Sequence, residues 1–387
     1  MSETDPYEKL RRKLNLFTLR VPKTKTFHKL LELLYTPEEA EIISTFGMPY
    51  IDYMRVPWFI KKSKTEKSEE EISEMFENLV KRGVLFKRID KKGRPSYALA
   101  PYIPGIFEFY FMSKAEPPEK MKEVAHVLED YFFDTFAPET FNSSKYPFFR
   151  VLPAQKAVEK VIELGEEVPT EFQVLPFEIV SQYISSARRI AVGICPCRDH
   201  AELIDGKSRC DKPRDVCMVF EAIADYWVEK GIARYVDHEE AMEVLRRAED
   251  AGLVHSTTNN QLFGLEIPGM ICNCCPCCCF ILQGILKVNR PRGIAQSNFD
   301  PVIDRELCKI CKECIDVCPM GAIFHHPPHK DDLSDNLIYV TLDKCIGCGL
   351  CASNCPHNAI TMKKIRSQIP EETAAGSSLR YLKEHIH

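Results

Sequence analysis

Several common functional signatures are missing from this 387-residue sequence. It has neither a G-x-G-x-x-G turn nor a G-x4-G-K-[ST] loop, so neither a dinucleotide-binding fold nor ATP-driven chemistry is indicated. It also has no G-x-S-x-G elbow of the kind that presents a nucleophilic serine. The usual sequence signs of an autonomous nucleotide-dependent or serine-dependent enzyme are therefore absent.

Long hydrophobic runs are missing as well. The best apolar stretch, 280–288, is interrupted by Gln283, Gly284 and Lys287, whereas a membrane-spanning helix needs about 20 residues. The sequence begins Met-Ser-Glu-Thr-Asp-Pro-Tyr, without a basic region followed by an apolar core. We expect a cytoplasmic protein with reduced thiols and no direct membrane insertion.

The charge is nearly balanced. The formal net charge is -5, and the 28% of charged residues carry both signs, so there is no overall basic footprint for nucleic acid. Protein partners are therefore expected rather than polyanions. The length is sufficient for two or three domains, and we predict an α+β multidomain fold.

Cysteine, by contrast, is abundant, with 18 residues. Two C-x2-C-x2-C-x3-C-P runs, beginning at Cys308 and Cys345, repeat at an offset of 37 residues. This spacing is typical of bacterial two-cluster ferredoxins, in which the fourth cysteine of each run binds the other cluster. It predicts one 4Fe-4S cluster on Cys308, Cys311, Cys314 and Cys355, and a second on Cys345, Cys348, Cys351 and Cys318.

The two copies agree beyond their cysteines, since Pro319-Met-Gly-Ala-Ile323 matches Pro356-His-Asn-Ala-Ile360. Zinc also accepts four thiolates, but a pair of zinc sites would not account for two copies of the C-x2-C-x2-C-x3-C-P spacing. Residues 298–364 therefore resemble a bacterial two-cluster ferredoxin domain. Between the runs lie 26 residues that include His325, His326 and His329. We expect an exposed loop there, with a metal-ligand role for the histidines as the alternative.

Residues 24–100 show three helical patterns followed by a strand pair. Thr36 precedes Pro37 as a helix N-cap, Ser68 and Glu71 have capping-box spacing, and Gly93 ends the turn of a hairpin. This order resembles a winged-helix domain. Its would-be recognition helix would repel phosphates, because it carries Glu66, Glu69, Glu70, Glu71, Glu74 and Glu77.

A docking or dimerisation module is therefore favoured for residues 24–100 over a DNA-binding regulator. The regulator stays open as an alternative because lysines and an arginine flank that helix and the hairpin turn. These residues are Lys61, Lys62, Lys64, Lys91, Lys92 and Arg94.

The middle segment, 101–297, is predicted to be rich in helix. Apolar residues recur at helical spacing from 118 to 136 and again from 236 to 252. The aromatic stretch 104–111 is expected to be a strand or a buried turn. Proline-rich connections separate these elements.

Four cysteines of this segment, Cys195, Cys197, Cys210 and Cys217, have the spacing C-x-C-x12-C-x6-C. Four thiols suffice for one metal centre, and a third 4Fe-4S cluster is favoured, with zinc or redox thiols as alternatives.

Residues 272–279 contain six cysteines: Cys272, Cys274, Cys275, Cys277, Cys278 and Cys279. If the segment were extended, Cys275, Cys277 and Cys279 would lie on one side and the other three on the opposite side. One segment could then face two centres. The alternatives are a redox-active dithiol and a centre that the run shares with Cys195 and Cys197, and the sequence leaves open which of the six bind metal.

Taken together, the chain is similar to a group of anaerobe 4Fe-4S binding proteins. The resemblance rests on the winged-helix-like start, Cys195-Pro-Cys197-Arg198, Gly252-Leu-Val-His255, the run from Cys272 to Cys279 and the terminal ferredoxin segment. It implies architecture but little mechanism. We expect His255 to be structural rather than a ligand or a proton donor. The predicted segments are 1–23 (extension), 24–100, 101–297, 298–364 and 365–387 (tail).

These patterns favour an iron-sulfur electron-transfer protein or subunit that relays electrons between a low-potential carrier and a partner oxidoreductase or flavoprotein. Two 4Fe-4S clusters are predicted, with one or two further iron-sulfur clusters, or zinc, in the middle segment. The alternatives are a catalytic reductase that uses the middle cysteines and a redox-sensing winged-helix regulator. Oligomerisation through the N-terminal segment is a further expectation.

Overall fold

The computed structural model describes residues 5–143, 145–163, 174–175, 178–260, 269–327 and 336–384, and within them the chain is a mixture of helices and antiparallel sheets. It forms two compact units: Met1–Thr140 with Pro196–Arg209, and Phe141–Cys195 with Cys210–His387. Residues of the predicted segment 101–297 occur in both units.

The first unit begins with helices and a hairpin. Its elements are α1 (Pro6–Leu14), α2 (Lys25–Leu34), α3 (Pro37–Ile43), α4 (Val56–Ser63), α5 (Glu69–Lys81), β1 (Leu85–Ile89) and β2 (Pro95–Leu99). The predicted caps at Thr36 and Ser68 are confirmed, and each is a reciprocal capping box. The hairpin pairs Leu85 with Leu99. Within residues 24–100, four helices (α2 to α5) rather than three precede the hairpin, and the winged-helix assignment remains a prediction.

Three further helices belong to the first unit, α6 (Phe107–Ser113), α7 (Pro118–Tyr131) and α11 (Pro196–Asp205). The expectation of a strand or turn over 104–111 was wrong from Phe107 onward. Phe107, Tyr110 and Phe111 recur at three- and four-residue spacing, so a helix buries all three together. Glu108 accepts the Gly105 N–H at 2.6 Å, and burial raises the pKa of Glu108 to about 7.

The second unit contains a six-stranded antiparallel sheet of order β3-β7-β8-β5-β4-β6. Its strands are β3 (Phe149–Leu152), β4 (Ile190–Gly193), β5 (Cys217–Phe220), β6 (Ala233–Val236), β7 (Val254–Thr258) and β8 (Met270–Cys274). The prediction of a helix-rich middle segment missed this sheet. Several strands have only four or five residues, all of them buried, so they lack the alternating pattern that marks a half-exposed strand.

Helices accompany this sheet along the chain. They are α9 (Gln155–Glu163), α10 (Val180–Ser186), α12 (Glu221–Glu229), α13 (His238–Asp250) and α14 (Phe280–Lys287), while α8 (Ala137–Ser143) spans the boundary of the two units in sequence. Helix α13 confirms the predicted amphipathic helix, with Ala241, Val244 and Leu245 buried.

The C-terminal segment consists of two antiparallel pairs and two short helices. Strand β9 (Phe299–Ile303) pairs with β12 (Ile360–Lys364), and β10 (Ile323–His326) pairs with β11 (Leu337–Val340). The short helices are α15 (Glu313–Asp316) and α16 (Leu350–Ser353), and a longer helix, α17 (Ala374–Glu384), follows β12.

The three histidines of the insertion between the cysteine runs have different positions. His325 bonds the Asn336 side chain at 2.8 Å, His326 is exposed at the end of β10, and His329 lies outside the described residues.

None of the helices that the structure describes combines the length and the apolar character required to cross a bilayer.

Candidate metal centres

The two cysteine runs near the C-terminus repeat in backbone conformation as well as in sequence. Three positions of each run have a positive φ, which lets the chain curl tightly around one point. At the offset of 37 residues these positions pair as Ile310 (53°) with Gly347 (70°), Lys312 (72°) with Gly349 (74°), and Gly321 (55°) with Asn358 (51°). Each run therefore forms the same loop, and only some of its left-handed positions are glycine.

The first loop gathers Cys308, Cys311 and Cys314, and Cys355 of the other run joins them around one cavity. Apolar side chains, including Ile338 and Ile360, complete its wall. Burial and the neighbouring thiols raise the pKa of Cys314 to about 11. Cys311 is exposed while Cys314 is buried, so this set reaches from the interior to the surface.

The second loop mirrors this arrangement, since Cys345, Cys348, Cys351 and Cys318 line a separate cavity. Backbone N–H groups point at two of the sulfurs: Ala322 N lies 3.3 Å from Cys318 Sγ, and Gly347 N lies 3.4 Å from Cys345 Sγ. Burial raises the pKa of Cys351, and the other thiols of the set raise it further.

Both sets fit a 4Fe-4S cluster. Each provides four thiols around an apolar cavity, and the second set adds amide N–H donors of the kind that stabilise cluster sulfur. The thiols of each set come from both runs. This exchange of the fourth cysteine is the one that the sequence spacing predicts.

The sheet of the second unit brings other cysteines to one of its ends. Strand β4 ends at Gly193, opposite Cys217 at the start of β5. Strand β8 runs antiparallel to β5, so it ends on the same side, at Cys274. The turn that follows β8 therefore begins where β5 begins. Cysteines far apart in sequence meet there because of strand direction.

Four of these thiols form a compact group, Cys210, Cys275, Cys277 and Cys278, whose sulfurs all lie within 4.8 Å of one another. Cys210 Sγ is 3.7 Å from Cys278 Sγ, which is 3.8 Å from Cys277 Sγ. Burial, followed by the Cys275 and Cys210 thiols, raises the pKa of Cys277 to about 12.

Cys217, Cys272 and Cys274 form a second group on β5 and β8. Pairing of Met218 with Ile271 places Cys217 beside Cys272 one step further along. Hydrogen bonds with the Cys217 and Cys274 thiols, together with burial, raise the pKa of Cys272 well above its usual range.

The predicted quartet of Cys195, Cys197, Cys210 and Cys217 is thus divided, since Cys210 and Cys217 belong to different groups. Cys195 follows β4, and its N–H donates to Arg214 O at 2.8 Å. Cys197 lies in the first turn of α11, in the first unit.

The expected alternation along residues 272–279 holds only as far as Cys274. Cys272 and Cys274 share a face of β8, but the chain then turns, so Cys275 and Cys278, predicted on opposite sides, meet in the compact group. Cys279 is buried and precedes α14, with its N–H donating to Cys275 O at 3.0 Å. A local turn overrides the strand period.

His255 is buried and has partners at both ring nitrogens. Nδ1 lies 2.5 Å from Asn273 Oδ1, and Nε2 lies 3.0 Å from Glu249 Oε1. Asn273 in turn donates to Val216 O at 2.6 Å, next to Cys217. This network supports the expectation that His255 is structural.

Sequence reasoning missed the two partners of His255. Glu249 lies one turn after Leu245 on the inward face of α13, and an acidic residue in that register was the available signal. Asn273 gave no comparable signal, because it stands inside the cysteine run.

The comparisons with known proteins concern the C-terminal part of the chain. The 4Fe-4S binding domain family matches residues 301–324 and 338–361. An uncharacterized ferredoxin of Methanocaldococcus jannaschii is 34% identical over 91 residues, 23% of this chain and 50% of the relative. The pyruvate synthase subunit PorD of that organism is 39% identical over 70 residues, 18% of this chain and 71% of the relative.

Protein NrfC of Escherichia coli K12 is 28% identical over 113 residues, 26% of this chain and 47% of the relative. The chain thus spans half or less of the length of two of these three relatives. All three relatives match only a minor part of this chain. Through residues 301–361, which form a 4Fe-4S ferredoxin-type electron-transfer domain, the chain belongs to the 4Fe-4S binding domain family.

Proposed function

We propose that this protein transfers electrons through two 4Fe-4S clusters, as a carrier or as a subunit of an oxidoreductase. Cys308, Cys311, Cys314 and Cys355 hold one cluster, and Cys318, Cys345, Cys348 and Cys351 hold the other. The observation that carries the proposal is the pair of four-thiol cavities inside a domain of the 4Fe-4S family.

The residues around each cavity suit a one-electron carrier. A bound 4Fe-4S cluster supplies a centre that accepts and returns single electrons. The apolar walls exclude water, and the N–H groups of Ala322 and Gly347 stabilise charge on the sulfurs they face. Hydrogen bonds and solvent exposure are the protein's means of setting the potential.

The two sets of thiols differ in their access to solvent. This difference indicates which cluster exchanges electrons with the partner first. Cys311 is exposed, and the lysines Lys309 and Lys312 beside it are exposed too. A protein partner can therefore approach the first set closely. We assign electron exchange with that partner to the face around Cys311.

The loop of the second cysteine run packs against helix α9 of the same unit. Ala154 N donates to Cys348 O at 2.9 Å, and Lys160 Nζ donates to Asn358 Oδ1 at 2.8 Å. A Cβ at Gly349 would lie only 3.0 Å from Ala157 Cβ. The second set therefore faces the protein's own interior.

The partner we propose is an oxidoreductase. The relative PorD is named as a subunit of pyruvate synthase, and a ferredoxin-type domain works by exchanging electrons with another protein. The DNA-binding alternative is weaker, because Glu69, Glu70, Glu71 and Glu74 are exposed on α5. That face would repel a phosphate backbone.

The test is anaerobic purification followed by iron and sulfide analysis and EPR of the dithionite-reduced protein. We expect two interacting 4Fe-4S signals. Cys311→Ser and Cys348→Ser should each remove the signal of one cluster, and the two variants should remove different ones.

The control is Ser353→Ala, on α16 but away from both cavity linings. It should keep both signals. Full cluster content in Cys311→Ser and Cys348→Ser would overturn the assignment of the ligands, and the absence of reducible iron would overturn the function.

A further inference from the structure

The compact group of Cys210, Cys275, Cys277 and Cys278 has sulfur spacings that specify its occupant. All four sulfurs lie within 4.8 Å of one another, with two separations of 3.7 and 3.8 Å. A tetrahedral ion with metal–sulfur bonds of about 2.3 Å places its ligand sulfurs about 3.8 Å apart. Two of the six separations match that value, and all six are within 4.8 Å.

A 4Fe-4S cluster requires a different geometry. Four irons and four sulfides must fit between the thiolates, so the ligand sulfurs stand further apart around a space. The ferredoxin thiols have this arrangement, since each set surrounds a cavity. Among the described residues, no ferredoxin thiols are packed as closely as the compact group.

We propose that Cys210, Cys275, Cys277 and Cys278 bind a single tetrahedral metal ion of the zinc class, without sulfide. This inference is independent of the proposed electron transfer. The proposed single ion takes the place of the third iron-sulfur cluster that the cysteine content predicts for the middle segment.

Electrostatics explains why such an ion belongs there. Four thiolates at these distances repel one another strongly, and two of them, Cys275 and Cys278, are buried. A divalent cation removes this repulsion and replaces the thiol protons. Four soft sulfur ligands select zinc or another thiophilic ion over magnesium or calcium.

The position of the site indicates a structural role. Cys210 lies 65 residues before Cys275, so the ion would close a long loop and fix the turn after β8 beside the segment that leads into β5. Closing a long loop lowers the entropy of the unfolded chain. A filled tetrahedral shell has no open position, which distinguishes structural from catalytic zinc.

The experiment measures zinc, iron and acid-labile sulfide in the 387-residue chain after anaerobic purification from a zinc-containing medium. We expect about one zinc, with about eight iron and eight sulfide from two 4Fe-4S clusters. Cys277→Ser should lose the zinc while keeping iron, sulfide and both ferredoxin EPR signals.

Cys272→Ser is the matched control. It lies on the same segment, but its thiol contacts Cys217 and Cys274 rather than the compact group. It should keep its zinc. Retained ferredoxin signals in both variants show that the chain still folds.

A second readout does not depend on stoichiometry. Cobalt incorporated in place of zinc should give the visible absorption of a tetrahedral thiolate site, and Cys277→Ser should abolish it. About twelve iron and twelve sulfide without zinc, falling to about eight of each in Cys277→Ser, would overturn the proposal. So would zinc that remains in that variant. Neither result would affect the assignment of the ferredoxin clusters.

Discussion

The ferredoxin segment and the middle cysteines collect thiols by different physical means. In the ferredoxin segment three of every four thiols come from one short loop, whose left-handed residues wrap it around a point. In the middle, strands remote in sequence deliver the thiols to one end of a sheet. The first arrangement is visible as a spacing, whereas the second depends on register and strand direction.

The difference extends to what lies between the thiols. The ferredoxin sets surround cavities, while the compact group packs sulfur against sulfur at 3.7 Å. A protein rich in cysteine can therefore contain two classes of metal site. The number of cysteines alone does not indicate how many clusters a chain holds.

The largest effect we expect is from Cys351→Ala. Removing this buried ligand should eliminate the second cluster and unfold the surrounding segment, because metal binding there is coupled to folding, on the order of 10 kcal/mol for structural sites. Iron content should fall by about half. Thermal unfolding followed by cluster absorbance checks this, and Cys277→Ser, with the cluster transition unchanged, is the comparison.

Thiol labelling separates metal-bound from free cysteines in the run 272–279. We expect few of its six cysteines to react in native anaerobic protein and most to react after strong chelation, since the proposed ion protects Cys275, Cys277 and Cys278 while burial shields Cys274 and Cys279. Mass spectrometry locates the labels. Labelling of all six before chelation, with metal retained, would show that the run is not a ligand cluster.

His255→Leu tests the buried network beside the middle cysteines. Buried Glu249 and Asn273 would each lose the His255 ring as a partner, although the Gln155 N–H still donates to Glu249, so we expect the free energy of unfolding to fall by about 2–4 kcal/mol. Denaturant titration measures the change. His325→Leu, which removes one half-buried hydrogen bond near the ferredoxin loop, should cost at most about 1 kcal/mol. If the two variants lost the same free energy of unfolding, the buried His255 network would contribute no more to stability than the half-buried His325 hydrogen bond.

The smallest effect concerns the repeated loops. Lys312 has φ of 72° where the other copy has Gly349, so Lys312→Gly should relieve strain and stabilise the segment by up to about 1 kcal/mol. The reverse change, Gly349→Lys, should destabilise it, since a Cβ there meets Ala157. Chemical denaturation of the two variants measures whether each change raises or lowers the free energy of unfolding. A destabilising Lys312→Gly would show that its left-handed conformation carries no strain.

Local signals in the sequence predicted much of the first unit. The caps at Thr36 and Ser68 and the hairpin follow from contiguous patterns there, as does α13 in the second unit, and the structure has each of them. The helix at Phe107 was missed because an aromatic cluster fits several buried conformations. The six-stranded sheet was missed because short, fully buried strands lack a periodic signature.

The sequence by itself determined that residues 301–361 carry a 4Fe-4S ferredoxin-type domain, and it predicted which cysteines combine there. A 4Fe-4S cluster needs ligands at fixed short spacings, so the motif that binds it can be recognised from neighbouring residues in the sequence. Only the tertiary structure decided that Cys210 joins Cys275, Cys277 and Cys278 while Cys217 stands beside Cys272. Those partners are set by strand pairing and by a turn that breaks the two-residue period, and neither can be inferred from spacing along the chain.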